Sequence, residues 1–164
     1  MRFPEPRAPH GFTLLELIVV ITIISALLAV ALDRFLYYQE RAEQAVMNAD
    51  LEAIKMGLRI RMVQLIASGH GELVPALESE NPMQWLEQPP SGYLGEYAVP
   101  AKPGSWYFSS EKHEIIYVPK SRLHLIGGAG DDQELYFRSL LTHEQDGKRI
   151  AGITMVPVTP FQWF

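Results

Sequence analysis

The sequence predicts an α+β fold: one long N-terminal helix packed on a C-terminal antiparallel sheet of about four strands. Three observations carry this expectation. Phe12 to Leu32 is an apolar run without Pro or Gly. Met47, Leu51, Ile54, Leu58, Met62 and Leu65 then recur at steps of three and four, the spacing of one helix face. Beyond Gly69-His70-Gly71 the chain changes to short apolar runs separated by turn residues, the pattern of hairpins.

The elements follow in order. Residues 1–11 are short and polar, with Arg2, Arg7, three prolines and Gly11. Residues 12–32 form an apolar stretch of about 21 residues, close to the ~20 that span a bilayer core. Residues 33–68 continue the helix as an amphipathic one, with Glu40, Arg41, Glu43, Gln44, Asn48, Glu52, Lys55, Arg59 and Arg61 on its outward faces. Its apolar seam is expected to lie under the sheet. Gly57 weakens this helix without ending it, and Gly69-His70-Gly71 stops it. A single helix from Phe12 to Ser68 would be about 85 Å long.

Residues 72–164 are the loop and sheet region. Asn81-Pro82 reads as a cap and first-turn proline, so a short helix is expected over Pro82 to Glu87. Gln88 to Gly104, with four prolines, is expected to be a loop. Trp106–Phe108 and Ile115–Val118 flank the Glu111-Lys112-His113 turn. Leu123–Ile126 leads into the turn from Gly127 to Asp132. Leu135–Leu141 and Ile150–Val156 flank Asp146-Gly147-Lys148. The tail Phe161-Gln162-Trp163-Phe164 either seals a sheet edge or forms an exposed aromatic patch; burial is the favoured reading.

Composition excludes several classes of function. The net charge of −5 argues against a nucleic-acid binder, and the absence of cysteine removes disulfides and thiolate metal sites. His70, His113, His124 and His143 lack metal-ligand spacing, and Leu123-His124-Leu125 alternates so that His124 should face solvent. Gly127-Gly128-Ala129-Gly130 lacks the lysine and following helix of a phosphate loop. No nucleophile motif or catalytic constellation is present, so no enzyme activity, cofactor or metal is expected.

One residue stands out. Glu16 places a carboxylate inside an apolar run, at a cost of roughly 2.5–3.5 kcal/mol on insertion scales. A secretory signal would place its small residue after the apolar run, but Gly11 precedes it, and a plain anchor explains neither Gly11 nor Glu16. Gly11-Phe12-Thr13-Leu14-Leu15-Glu16, behind a basic leader and ahead of a long apolar helix, resembles the prepilin motif of type IV pilins and type II secretion pseudopilins.

The resemblance implies cleavage by a prepilin peptidase between Gly11 and Phe12, and N-methylation of Phe12. It also implies that Glu16, the fifth residue of the mature chain, meets the free N-terminus of a neighbouring subunit. The physics agrees. A terminal amine with pKa near 8 is largely cationic at neutral pH. A contact pair at an effective dielectric of ~20 is worth about 4 kcal/mol before desolvation. A bridge to the subunit's own terminus is the other arrangement available.

The implied partners are other pilins or pseudopilins, met through their N-terminal helices, the prepilin peptidase, an inner-membrane assembly platform and membrane lipid. The implied location is the bacterial inner membrane with the N-terminus cytoplasmic, then a pilus or pseudopilus. Asp33 stands where many pilins carry a helix proline, and Asp131-Asp132 is too sparse for the calcium loop of major pseudopilins. These departures favour a minor, priming subunit. The competing reading is a single-span, membrane-anchored binding module that does not polymerise.

Overall fold

The structure is a computed structural model that describes residues 12–130, 133–144 and 149–164. The Gly11 cleavage position, the Asp131-Asp132 pair and the Asp146-Gly147-Lys148 turn lie outside the described residues. The chain divides into two compact units, one ending at Gln39 and the other Glu40–Phe164.

A single helix, α1, runs Leu14–Ala67 and contributes to both units. It ends in the expected place, where Gly69 adopts φ +83° and the Gly69 and His70 amides bond back to the Ile66 and Leu65 carbonyls. It is helical through Asp33, where no proline intervenes. In the first unit its large apolar side chains are exposed, and this is the one helix long and apolar enough to cross a membrane among the described residues. The hydroxyls in the apolar stretch are satisfied inside the helix. Thr22 Oγ1 donates to the Ile18 carbonyl at 2.8 Å and Ser25 Oγ to the Ile21 carbonyl at 2.7 Å.

In the second unit, α1 carries the predicted seam. Met47, Ile54, Leu58 and Leu65 are buried, with Leu51 and Met62 partly buried beside them. A 3-10 helix at Gly71–Glu78 follows, unforeseen because Pro75 lies inside it. Its buried Val74 and Leu77 lie three apart, the repeat of that tighter helix. The predicted short helix is a single 3-10 turn, Pro82–Trp85, capped by Asn81 Oδ1 accepting the Met83 amide at 3.0 Å. Gly57 sits where this turn crosses α1. A Cβ there would lie 3.2 Å from Leu86 Cδ1 and 3.3 Å from the Trp85 carbonyl oxygen.

The strands are β1 (Tyr93–Glu96), β2 (Ser105–Ser109), β3 (Glu114–Val118), β4 (Leu125–Gly127), β5 (Leu135–His143), β6 (Ile150–Pro157) and β7 (Phe161–Trp163). The main sheet has the order β1-β2-β3-β5-β6, and β4 pairs with β7 in a separate two-stranded sheet. Both expected hairpin pairings form: Tyr107 opposes Ile116, and Leu141 opposes Ile153.

One expectation needs correction: Gln88 to Gly104 is not all loop, because β1 lies in it and brings the main sheet to five strands. β1 pairs parallel to β2, with Tyr93 opposite Trp106. It is four residues long and interrupted by Gly95 at φ +91°, so it carries no alternating signal. The expected run Leu123–Ile126 pairs outside the main sheet, with Leu125 opposite Trp163 of β7.

The core lies between α1 and one face of the main sheet. Trp106 and Phe108 of β2, Ile115 and Tyr117 of β3, and Leu135 and Phe137 of β5 join the helix seam, every second residue as the pleat requires. Tyr107, Ile116 and Val118 point the other way and are covered by Tyr97, Ala101 and Tyr136. That second layer explains why β2 and β3 are buried throughout. The aromatic tail is in part buried, as favoured: Trp163 is 4% exposed and packs in the core beside Phe161 and Phe164.

Candidate assembly site at the head of the helix

The sequence-predicted site residues are Gly11, Phe12 and Glu16. Gly11 is outside the described residues. Phe12 is 70% exposed and lies just before α1. Glu16 is exposed in the first turn, where a negative charge suits the positive end of the helix dipole.

Thr13 was not singled out in the sequence, and it starts the helix. Its Oγ1 accepts the Glu16 amide at 3.2 Å and its carbonyl accepts the Leu17 amide at 3.1 Å. Thr13-Leu14-Leu15-Glu16 has the T-x-x-E spacing of a capping box, a signal legible in the sequence. The helix therefore begins within three residues of the predicted cleavage position. The Glu16 carboxylate itself finds no hydrogen-bond or ion-pair partner among the described residues. Thr13, Thr22 and Ser25 are satisfied along the helix, which sets the Glu16 carboxylate apart from these hydroxyls.

In the second unit, polar side chains of α1 do different work. Glu40 is fully buried, not outward-facing as expected. Its Oε1 accepts the His124 amide at 3.1 Å and Trp163 Nε1–H at 3.0 Å, and its Oε2 lies 2.8 Å from His124 Nδ1. Burial pushes the Glu40 pKa up, but the His124 and Trp163 donors outweigh it, so the carboxyl titrates below its ordinary range. His124 is exposed, as expected, but it also has partners. Its ring is half-exposed, bound to Glu40 and stacked on Phe164 at 4.8 Å.

Glu43, one turn on, accepts Tyr117 Oη–H at 2.8 Å, the Lys120 amide at 2.6 Å and the Ser121 amide at 3.2 Å. Burial, then the Glu43 carboxylate, pushes the Tyr117 phenol well above its usual range. Gln44 donates to the Trp163 carbonyl, and Asp50 accepts Trp106 Nε1–H at 3.0 Å. This polar row ties β2, β3, β7 and the segment leading into β4 to α1. No periodicity rule flags it, because each residue reads as ordinary helix surface.

Comparison with known proteins bears on the head of the chain. A family model described as the prokaryotic N-terminal methylation motif matches residues 6–32. The chain is 43% identical over 54 residues to PilA5 of Thermus thermophilus, the major component of a type IV narrow pilus. That alignment covers 33% of this chain and 47% of the relative, about half its length. No solved structure matches the chain. The head of this chain is thus similar to a prokaryotic N-terminal methylation motif and to the corresponding part of a type IV pilin, and the long helix leading into a sheet-bearing unit is consistent with a pilin-like α+β fold.

Proposed function

We propose that the protein is a structural subunit of a type IV pilus or type II secretion pseudopilus. In this reading a prepilin peptidase cuts after Gly11, Phe12 becomes the N-methylated terminus, and residues 12–32 hold the subunit in the inner membrane until assembly. The N-terminus starts on the cytoplasmic side and residues 72–164 lie outside, packed on residues 33–68. An assembly platform draws the subunit into a filament, where its helix meets the helices of other pilins or pseudopilins and the membrane lipid is left behind.

The carrying observation is Glu16: a carboxylate in an apolar helix, with no partner among the described residues, four positions after Phe12. Cleavage would create a cation on Phe12 of a neighbouring subunit, and that cation would satisfy it. The pair then sets register, while apolar helix packing supplies the bulk of the stability. The missing helix proline and the lack of cysteine favour a minor, priming subunit over a bulk one. A structural role, not catalysis, accounts for every residue singled out.

The test begins with the intact mass and N-terminal sequence of the protein from native membranes. A chain starting at methylated Phe12 is expected. A chain still starting at Met1, in cells with an active prepilin peptidase, overturns processing and leaves a simple anchor. Glu16→Ala should still insert in the membrane but fail to enter filaments; normal incorporation would refute the register role.

A further inference from the structure

In the second unit, α1 carries a second apolar stripe. Val46, Ala49, Ala53, Met56, Ile60 and Val63 recur at steps of 3, 4, 3, 4 and 3, with Ala42 and Ala67 one step beyond at either end. All of them are exposed, and the four side chains larger than alanine are 50–61% exposed. At about 100° per residue, this stripe lies on the far side of the helix from the buried Met47, Ile54, Leu58 and Leu65.

The two stripes differ in period. The buried one steps 4, 3, 4, 4 and 3 from Met47 to Leu65, the repeat of a straight helix lying on a sheet. The exposed one alternates strictly and so repeats every seven residues. That is the repeat required by a partner helix that winds around this one, and a flat surface does not ask for it.

The chemistry of the stripe selects the occupant. In heptad terms Val46, Ala53 and Ile60 are a positions, and Ala49, Met56 and Val63 are d positions. β-branched residues at a suit a parallel two-stranded pair. In such a pair of identical helices the flanking g-to-e contacts are Ala45 with Asp50, Glu52 with Gly57, and Arg59 with Gln64. No like charges meet, so a second copy in register fits as it stands. Two identical copies crossing one bilayer in the same direction also bring equal residues to equal height. The stripe spans about 38 Å of helix. With its flanks it offers about fifteen residues a side, fewer than the roughly 20–30 of a stable interface in solution. Confinement to one membrane raises the effective concentration and offsets that deficit.

We propose that residues 42–67 pair with the same segment of a second copy of this chain, as a parallel, in-register coiled coil, while the subunits are held in the membrane. The proposal rests on the membrane-anchored reading above and goes beyond it, since it concerns the subunit before any filament forms.

The chain has no cysteine, so single-cysteine variants of the full chain report cleanly. Ala49→Cys, Met56→Cys and Asn48→Cys would each be reconstituted in vesicles without an assembly platform and then oxidised. All three native residues are exposed, so the core is not disturbed. A fluorophore on Ile24→Cys should be quenched by acyl-level spin-labelled lipid, which establishes insertion independently. Same-position disulfide dimers should form at 49 and 56 roughly tenfold faster than at 48. Adding Ile60→Lys to Met56→Cys sets two ammonium groups across the seam and should lower the dimer fraction roughly tenfold, whereas Ile60→Leu should not. Ile60 is 50% exposed, so unfolding of the second unit, followed by tryptophan fluorescence, should be the same in both.

With Ile24 quenched, equal cross-linking rates at 48, 49 and 56 overturn the proposal as chance collision. Faster linking of Ala49→Cys to Ile60→Cys in a mixed sample also overturns it, because the helices would then be antiparallel. A fluorophore on Met56→Cys that is quenched by spin-labelled lipid overturns it too, and assigns the stripe to lipid. An unquenched Ile24 label refutes the anchored reading, and the pair with it.

Discussion

Replacing Glu40 with alanine should destabilise the second unit by about 3–5 kcal/mol. The magnitude follows from what the substitution strands. Trp163 Nε1 and the His124 amide both donate to Oε1 of a carboxylate that is fully buried. A buried donor left without an acceptor costs about 1–3 kcal/mol. Two of them, with a small cavity, give the stated range, which also matches the cost of removing one partner of a buried ion pair. The His124 ring is half-exposed and can turn to water, so it adds little. Alanine's better helix propensity offsets only a few tenths.

A domain of this size has roughly 5–15 kcal/mol of stability in all, so the loss is a large fraction. It corresponds to a melting shift of roughly 10–20 °C. The assay is urea and thermal unfolding of the full chain in detergent micelles, followed by tryptophan fluorescence. Trp85, Trp106 and Trp163 all lie in the second unit, so the apolar span contributes no signal. Glu40→Gln keeps one acceptor oxygen and should recover about half of the loss. A Glu40→Ala protein within about 1 kcal/mol of the parent would refute the assignment of Glu40 as the lock between α1, β4 and β7.

Further outcomes follow from the same geometry. Because the folded-state pKa of Glu40 lies below its unfolded value, its contribution is fully present above about pH 4.3 and is lost as pH falls through the depressed folded value. Parent and Glu40→Gln stabilities should therefore converge as pH falls through that depressed value, as read by urea titrations at stepped pH; parallel curves would contradict this. Gly57→Val should destabilise by about 1–3 kcal/mol through collision with Leu86 and the Trp85 carbonyl, despite removing a helix glycine. Glu52→Ala, which breaks only the exposed Glu52–Lys55 pair, should leave melting unchanged. Thr13→Val should cost about 1 kcal/mol of cap and fray the first turn of α1, seen as faster amide exchange at Glu16, while Thr13→Ser should not.

The helix and hairpins were legible because each obeys a period. The Met47–Leu65 seam is helical spacing, and β2–β3 and β5–β6 are apolar runs on either side of a turn. The strands that periodicity missed are short and held by partners distant in sequence. β1 has four residues broken by a glycine and finds its partner in parallel. β7 has three residues, and its partner β4, inside the expected Leu123–Ile126 run, lies over thirty residues earlier. At the site, Phe12 and Glu16 were legible because the motif packs several rare features into a few residues. Thr13 was legible too, through T-x-x-E, but the rarer carboxylate drew the attention. Glu40, Glu43 and Asp50 were not legible: only the folded sheet brings His124, Lys120, Ser121, Trp106 and Trp163 to them.

Glu16 and Glu40 sit on the same helix and show two ways in which a carboxylate can be kept from water. Glu40 is fully buried and is satisfied within its own chain, by the His124 amide, the His124 ring and Trp163 Nε1. Its charge therefore stabilises the monomer and asks nothing of a neighbour. Glu16 lies in an apolar stretch whose other polar side chains are satisfied along the helix, yet its carboxylate has no partner among the described residues. A lone carboxylate in lipid carries a cost, and in the proposed filament that cost is lowered by a cation from a neighbouring subunit. The two residues should then respond in opposite assays. Glu40→Ala should lower the melting temperature of the isolated subunit and leave any folded fraction competent to assemble. Glu16→Ala should leave melting of the second unit untouched and abolish filament entry. If both variants failed in the same assay, the division between folding and assembly carboxylates would be wrong.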